Sequence, residues 1–251
     1  MAGNAGSRTR AQEFGIDLPP PFRLIKLREV GEAFPKAQSL AASAGAGTLV
    51  YVGRFDVIEF ATVLEPEEPL QLARRALYLG LNALGDALTA LGPPGSPITF
   101  GWPGAIHVNG GLVGGGRLGW PAGGSEDHVP DWIVFGGLIR TVSLGRDAGV
   151  HSLASALEDE GFLELNSDRL IESFARHLMS NVDVWQSLGF DAIAHRYVER
   201  LVVEKGASAV LAENGDLLVQ WRSAKKPDRH SLLDALASPT WLDHDSDRQR
   251  R

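Results

Sequence analysis

The stretch Trp102-Pro103-Gly104-Ala105-Ile106-His107-Val108-Asn109-Gly110-Gly111-Leu112-Val113-Gly114-Gly115-Gly116-Arg117 decides how the 251-residue chain is read. Asn109-Gly110 stands between two β-rich runs and both residues tolerate positive φ, so the pair predicts a two-residue type I′ turn and an antiparallel hairpin. Counting outward from the turn places Val108 opposite Gly111, His107 opposite Leu112 and Ile106 opposite Val113. Gly114-Gly115-Gly116 then strips one strand of side chains. Two readings of that run stand: a bulge or bare strand that lets a ligand approach the backbone, and a glycine-rich loop with no ligand. On a regular strand Arg117, an odd five positions beyond Leu112, points to the opposite face, and only a bulge in Gly114-Gly115-Gly116 would turn it back.

Upstream of the hairpin, Leu70, Ala73, Leu77, Leu81, Leu84, Leu88 and Leu91 recur every three to four positions. They predict one long amphipathic helix over 69–91, ended by Gly92-Pro93-Pro94-Gly95. Before it, strands are expected at 22–27, 48–52 and 54–64, with a helix over 34–44. Around and after the hairpin come strands at 98–102, 105–108, 112–118 and 132–144, then helices over 167–188 and 191–204. A last strand pair, 209–213 and 217–221, is joined by Asn214-Gly215-Asp216. Antiparallel hairpins alternating with helices give an α+β fold rather than a doubly wound parallel sheet.

Residues 1–16 are small, polar and aperiodic and a stiff Pro19-Pro20-Pro21 spacer follows, so residues 1–20 read as a disordered arm. The main domain is expected over 21–188 and a small C-terminal subdomain over 189–222. Residues 223–251 form a charged tail around one apolar patch, Leu232, Leu233, Leu236 and Trp241. That patch either hangs loosely or docks on the body or on a partner.

Composition narrows the function classes. Apolar residues at 44% and charged residues at 22% exclude a disordered or fibrous chain. The net charge of −7 disfavours broad capture of nucleic acid or of an anionic membrane. The absence of cysteine removes disulfides, thiolate metal sites and cysteine nucleophiles. With no long apolar run and no apolar signal core, a cytoplasmic location is expected.

In order and spacing, Trp102-Pro103, Val108-Asn109-Gly110 and Val113-Gly114-Gly115 resemble the strand-turn-strand of biotin protein ligases. Weaker matches flank them. Gly53-Arg54, after Gly47-Thr48-Leu49-Val50, sits where that family has its glycine-arginine ligand loop, and Thr62-Val63-Leu64-Glu65-Pro66 resembles the strand that follows. Trp132-Ile133-Val134-Phe135-Gly136-Gly137 resembles the strand after the hairpin, and Glu213-Asn214-Gly215-Asp216-Leu217-Leu218 the C-terminal hairpin. Over about residues 22–222 the chain is therefore similar to the biotin/lipoate protein ligase superfamily. The resemblance implies a mixed sheet packed with helices, a small C-terminal subdomain, and attachment of a biotinyl, lipoyl or octanoyl group to a lysine of a carrier domain. An active ligase of this kind would use ATP and Mg²⁺.

Several family positions are altered. The lysine that neutralises the acyl carboxylate and the adenylate phosphate is Leu112; the first lysine of the tryptophan motif is Gly101; its Asn-Asp pair is Gly104-Ala105. Loss of one such transition-state contact typically costs about 10² to 10³ in rate. Octanoyltransferases need a cysteine. His107, across from Leu112, is the candidate replacement as a general acid or partial charge, and a structural histidine is its plain alternative. Arg54 is either a carboxylate or phosphate partner or half of a surface ion pair. Gly53, Trp102, Pro103, Leu112, Gly114, Gly115, Gly116 and Arg117 complete the candidate ligand site.

Trp102, Trp120 and Trp132 form either an aromatic wall or core packing. Glu126-Asp127-His128 reads as a solvated loop rather than a metal site. Ser143, His151 and Ser152 carry no nucleophile-elbow pattern. Two functions from different classes follow: an acyl ligase or transferase working through His107 and Arg54, and a catalytically silent relative that binds an acyl ligand or a lipoyl or biotinyl domain.

Overall fold

The main sheet is built from β1 (Arg23–Leu27), β2 (Thr48–Gly53), β3 (Val57–Leu64), β4 (Ile98–Gly101), β5 (Ala105–Val108), β6 (Gly111–Gly119) and β7 (Ile133–Arg140). Their spatial order is β1-β2-β3-β7-β6-β5-β4. β1 and β2 are parallel and joined through α1 (Ala33–Ala44), whereas every other neighbouring pair is antiparallel. The fold is thus α+β, as the hairpin pattern predicts. The structure is a computed structural model that describes residues 15–143, 154–163 and 165–242.

The two faces of the sheet bury different partners. On one, α3 (Ala76–Leu91), α4 (Ser167–Leu188) and α5 (Phe190–Arg200) pack with Phe60, Phe135 and Phe174, whose rings lie 4.5 to 6.4 Å apart. On the other, α1 sets Ala33, Phe34, Ala37 and Ala41 against Val50, Val52, Ala61, Val63 and Val134. Three alanines on one stripe let this helix sit close to β2, β3 and β7.

The single helix expected over 69–91 is two. α2 (Leu70–Ala73) stops before Arg74-Arg75 and α3 begins at Ala76. The N–H groups of Arg75, Leu77 and Tyr78 bond three residues back, to Leu72, Arg74 and Arg75. The tighter turn aims two buried guanidiniums outward at solvent-facing carboxylates, Arg74 at Glu126 and Arg75 at Glu68, the latter at 2.6 Å. Apolar periodicity continues through the break, so it carries no trace of it.

β8 (Ala207–Leu211) and β9 (Leu217–Trp221) form the predicted C-terminal hairpin, and β10 (Asp228–His230) adds a third antiparallel strand. β10 and α6 (Leu232–Ala237) both arise within the stretch read as a tail. Of the arm read over 1–20, residues 1–14 lie outside the described residues. Ile16 is buried and the Asp17 N–H donates to Glu172 at 2.8 Å, so the disordered reading fails for these positions. A lone isoleucine has no period to announce its burial.

Candidate functional site on the hairpin face

Asn109 and Gly110 take φ of 50° and 88°, the left-handed values a type I′ turn demands. Val108 pairs with Gly111 and His107 with Leu112, as the count from the turn predicts. The third expected pair does not form. Ile106 faces Gly114 instead of Val113, because a bulge interrupts the register between Ile106 and His107. Val113 joins the core beside Ile106 and Val108. The extra residue reverses the parity of everything beyond it, so Arg117 shares a face with Leu112 and His107 rather than lying opposite.

That face has a bare floor. A Cβ on Gly115 would overlap the Gly104 carbonyl and the Trp241 indole, and the Gly116 N–H donates to the same carbonyl at 2.8 Å. Gly116 itself turns toward Phe135 and Leu81 in the core, and Gly114 abuts the Leu138 backbone. Within the glycine run, Gly115 alone therefore floors this face.

His107 is half-buried, and its Nδ1 is enclosed with no hydrogen-bond partner among the described residues. Burial holds the imidazole below its ordinary pKa of 6.5, so it is neutral at pH 7. Arg117 is closed off. Its guanidinium lies 4.2 Å from the Phe34 ring centroid and 3.3 Å from the Glu59 carboxylate. The same carboxylate oxygen accepts the Ala33 and Phe34 N–H groups at 3.0 and 3.4 Å, filling the N-terminal end of α1. Burial raises the Glu59 pKa against the pull of Arg117 and of these two N–H groups, and burial lowers that of Arg117.

Other candidates disperse. Trp102 turns to the α3 side, where its Nε1 donates to the Tyr78 hydroxyl at 3.0 Å. The Pro103 carbonyl accepts from buried Tyr197 at 2.9 Å. Gly53 ends β2 and Arg54 lies in the turn to β3, where it pairs with Asp56 at 3.3 Å. At about 4.8 Å per strand, that turn is roughly 15–20 Å from His107 across the sheet. The fold does not bring His107 and Arg54 together. Trp120 packs against the α3-side core and beneath Arg74, and Trp132 against the α1 cluster, so the three tryptophans make no wall. Glu126 is held by Arg74, and Asp127 by Gln71 at 3.2 Å. His151 and Ser152 lie outside the described residues.

Sequence reasoning missed Arg140 here, and of the readings it gave the Trp241 patch, docking on the body is the one observed. Buried Arg140 sits at the end of β7 and donates to the Leu112 carbonyl and, at 3.1 Å, to that of Ser155. Trp241 covers Gly104 and Gly115 and is itself 3% exposed. A cavity of about 1090 Å³ opens on the other side of the sheet, among Leu64, Ala76, Leu79, Met179, Val182 and Trp185, away from all of these groups.

Residues 18–199 match the model of the Biotin/lipoate A/B protein ligase family, and the chain belongs to that family. Among solved structures it is similar to a biotin protein ligase-like protein of unknown function from Silicibacter sp. TM1040, at 27% identity and a TM-score of 0.75, over 87% of this chain and 98% of that one. It shares its fold with the biotin protein ligase of Aquifex aeolicus in complex with biotin and ATP, at 16% identity and a TM-score of 0.62, over 82% and 94% of the two chains. The Leishmania major biotin protein ligase in complex with biotin aligns at 17% identity and a TM-score of 0.54, over 85% and 99%. No curated protein matches the sequence.

Among the described residues, the charged groups on this face do not fit an acyl-adenylate. The guanidinium that the bulge brings to the face is neutralised by Glu59, and the same carboxylate takes the helix N–H groups that could have received a phosphate. Among the described residues, no helix is long and apolar enough to cross a membrane.

Proposed function

We propose that this protein holds a neutral acyl chain or a flat ring, free or carried on a lipoyl or biotinyl domain, on the β5–β6 face without activating it. Its place in the family supports the ligand class. One observation carries the silent reading: Leu112 stands where the family's lysine belongs, and Arg117, on the same face, is closed by Glu59. A neutral imidazole and a glycine floor suit an uncharged group and offer little to an anion. In this reading His107 lines the face and does not transfer a proton, and the protein works in the cytoplasm beside the carrier domains of acyl metabolism. The lack of cysteine leaves it without the thioester route of an octanoyltransferase.

Isothermal titration with the uncharged amides of biotin, lipoic acid and octanoic acid and with the parent acids, each with and without ATP and Mg²⁺, tests this proposal. At least one should bind with an affinity that ATP leaves unchanged. Binding that requires ATP, or conversion of the acid to an adenylate, would favour the ligase reading, and no binding of any probe would refute both.

A further inference from the structure

The C-terminal segment reaches the hairpin face in a particular way. It is anchored at its start: Leu232 is 1% exposed, its N–H donates to Asp216 at 2.9 Å, and the preceding His230 ring lies 5.9 Å from that of Trp102. Ser231 caps α6 by accepting the Asp234 N–H. The chain then runs over the surface, with Leu233, Asp234, Ala237, Ser238 and Thr240 exposed, before Trp241 turns in. Half-buried Leu236 packs against the same core as Leu232, and beyond α6 the Trp241 side chain makes the far attachment.

That side chain is an imperfect occupant. Its indole lies flat enough against the floor that a Cβ on Gly115 would fall 2.5 Å from Trp241 Cε2, and one on Gly104 3.2 Å from Nε1. Yet Nε1 is enclosed with no hydrogen-bond partner among the described residues. A buried donor without an acceptor loses much of what the burial of the ring gains. The floor thus accepts a bicyclic ring and fails to complement this one.

We propose that residues 231–242 form a removable strap, in which the Trp241 indole occupies the glycine floor as an internal stand-in for ligand, and an acyl or flat-ringed ligand binds by displacing it. The inference rests on the binding reading above and deepens it by naming what the ligand competes with. A hinge exists where displacement needs one: Ala237, Ser238 and Thr240 are exposed around a half-buried Pro239 and link the α6 anchor of Leu232 and Leu236 to Trp241. An internal occupant lowers the apparent affinity by the fraction of molecules in which the floor is open.

The test uses the uncharged amides of octanoic acid, lipoic acid and biotin as probes against the full chain, Trp241→Ala, and a second variant ending at Ser238 that keeps the Leu232 anchor. Titration should show at least one probe binding about tenfold or more tighter to both variants than to the full chain. In parallel, the full chain is labelled with 5-fluorotryptophan, and the Trp241 resonance among the six is identified by its loss in Trp241→Phe. A saturating probe should move that resonance from a buried to a solvent-exposed environment, a readout that stands even if a variant misfolds. Equal or weaker binding to the folded variants, or a Trp241 resonance that stays buried at saturation, overturns the strap and leaves the binding reading intact. No binding to any of the three proteins overturns both.

Discussion

Glu59 does two tasks with one buried carboxylate: it neutralises Arg117 and ends the hydrogen-bonding deficit at the start of α1. Glu59→Ala should therefore destabilise the fold by about 3 kcal/mol, since removing one partner of a buried pair strands the other. Urea unfolding of Glu59→Ala, Arg117→Ala and the double variant would show it, with the double variant less destabilised than the sum. His107 gives a pH dependence whose sign is fixed. Its folded pKa lies below 6.5, so the unfolded chain takes up the proton first and stability falls as pH drops through and below 6.5. His107→Leu should remove that component from the stability-against-pH curve. Leu112→Lys, at a position 7% exposed, should lower Tm and weaken binding of a neutral probe, because the ammonium loses water without an anionic partner. At this scale the sequence was partly legible: the pairing of His107 with Leu112 follows from Asn109-Gly110, but the burial of Arg117 depends on a bulge that three consecutive glycines permit without specifying.

Elements show why local pattern reads some boundaries and not others. The helix over 167–188 and the strand over 217–221 match their sequence bounds, because period and flanking caps agree there. Around 69–91 they do not agree with the ion pairs of Arg74 and Arg75, which a pattern of apolar residues cannot contain. Gly80 illustrates the same limit. Inside a helix it weakens the prediction, yet a Cβ there would overlap the Phe135 ring, which is fully buried and stacked on Phe174. Gly80→Ala gains about 1 kcal/mol of helix propensity and should still destabilise by a net 1 kcal/mol or more, roughly, because the ring has nowhere to move. Thermal unfolding would decide; a raised Tm would mean that α3 can shift off the sheet.

In the whole molecule, the sheet gives one face to three helices and shares the other between α1 and Trp241. Contacts between distant parts of the chain, such as Ile16 in the core or Trp241 on the floor, leave no periodic mark, so the ends were the least legible regions. Ile16→Ala should cost about 2 to 4 kcal/mol, the range of a fully buried truncation, whereas a frayed arm would give nothing measurable. The family frame and the hairpin were legible; the closing of the site's charges was not, because it joins Glu59 on β3, Arg117 on β6 and the start of α1. The central claim is that this face binds without activating, and acyl-dependent pyrophosphate exchange measures it most directly. With biotin, lipoate or octanoate, ATP and Mg²⁺, the unmodified protein should show no exchange above a protein-free control. Robust exchange that is lost in His107→Ala would contradict the account and make the protein an active ligase.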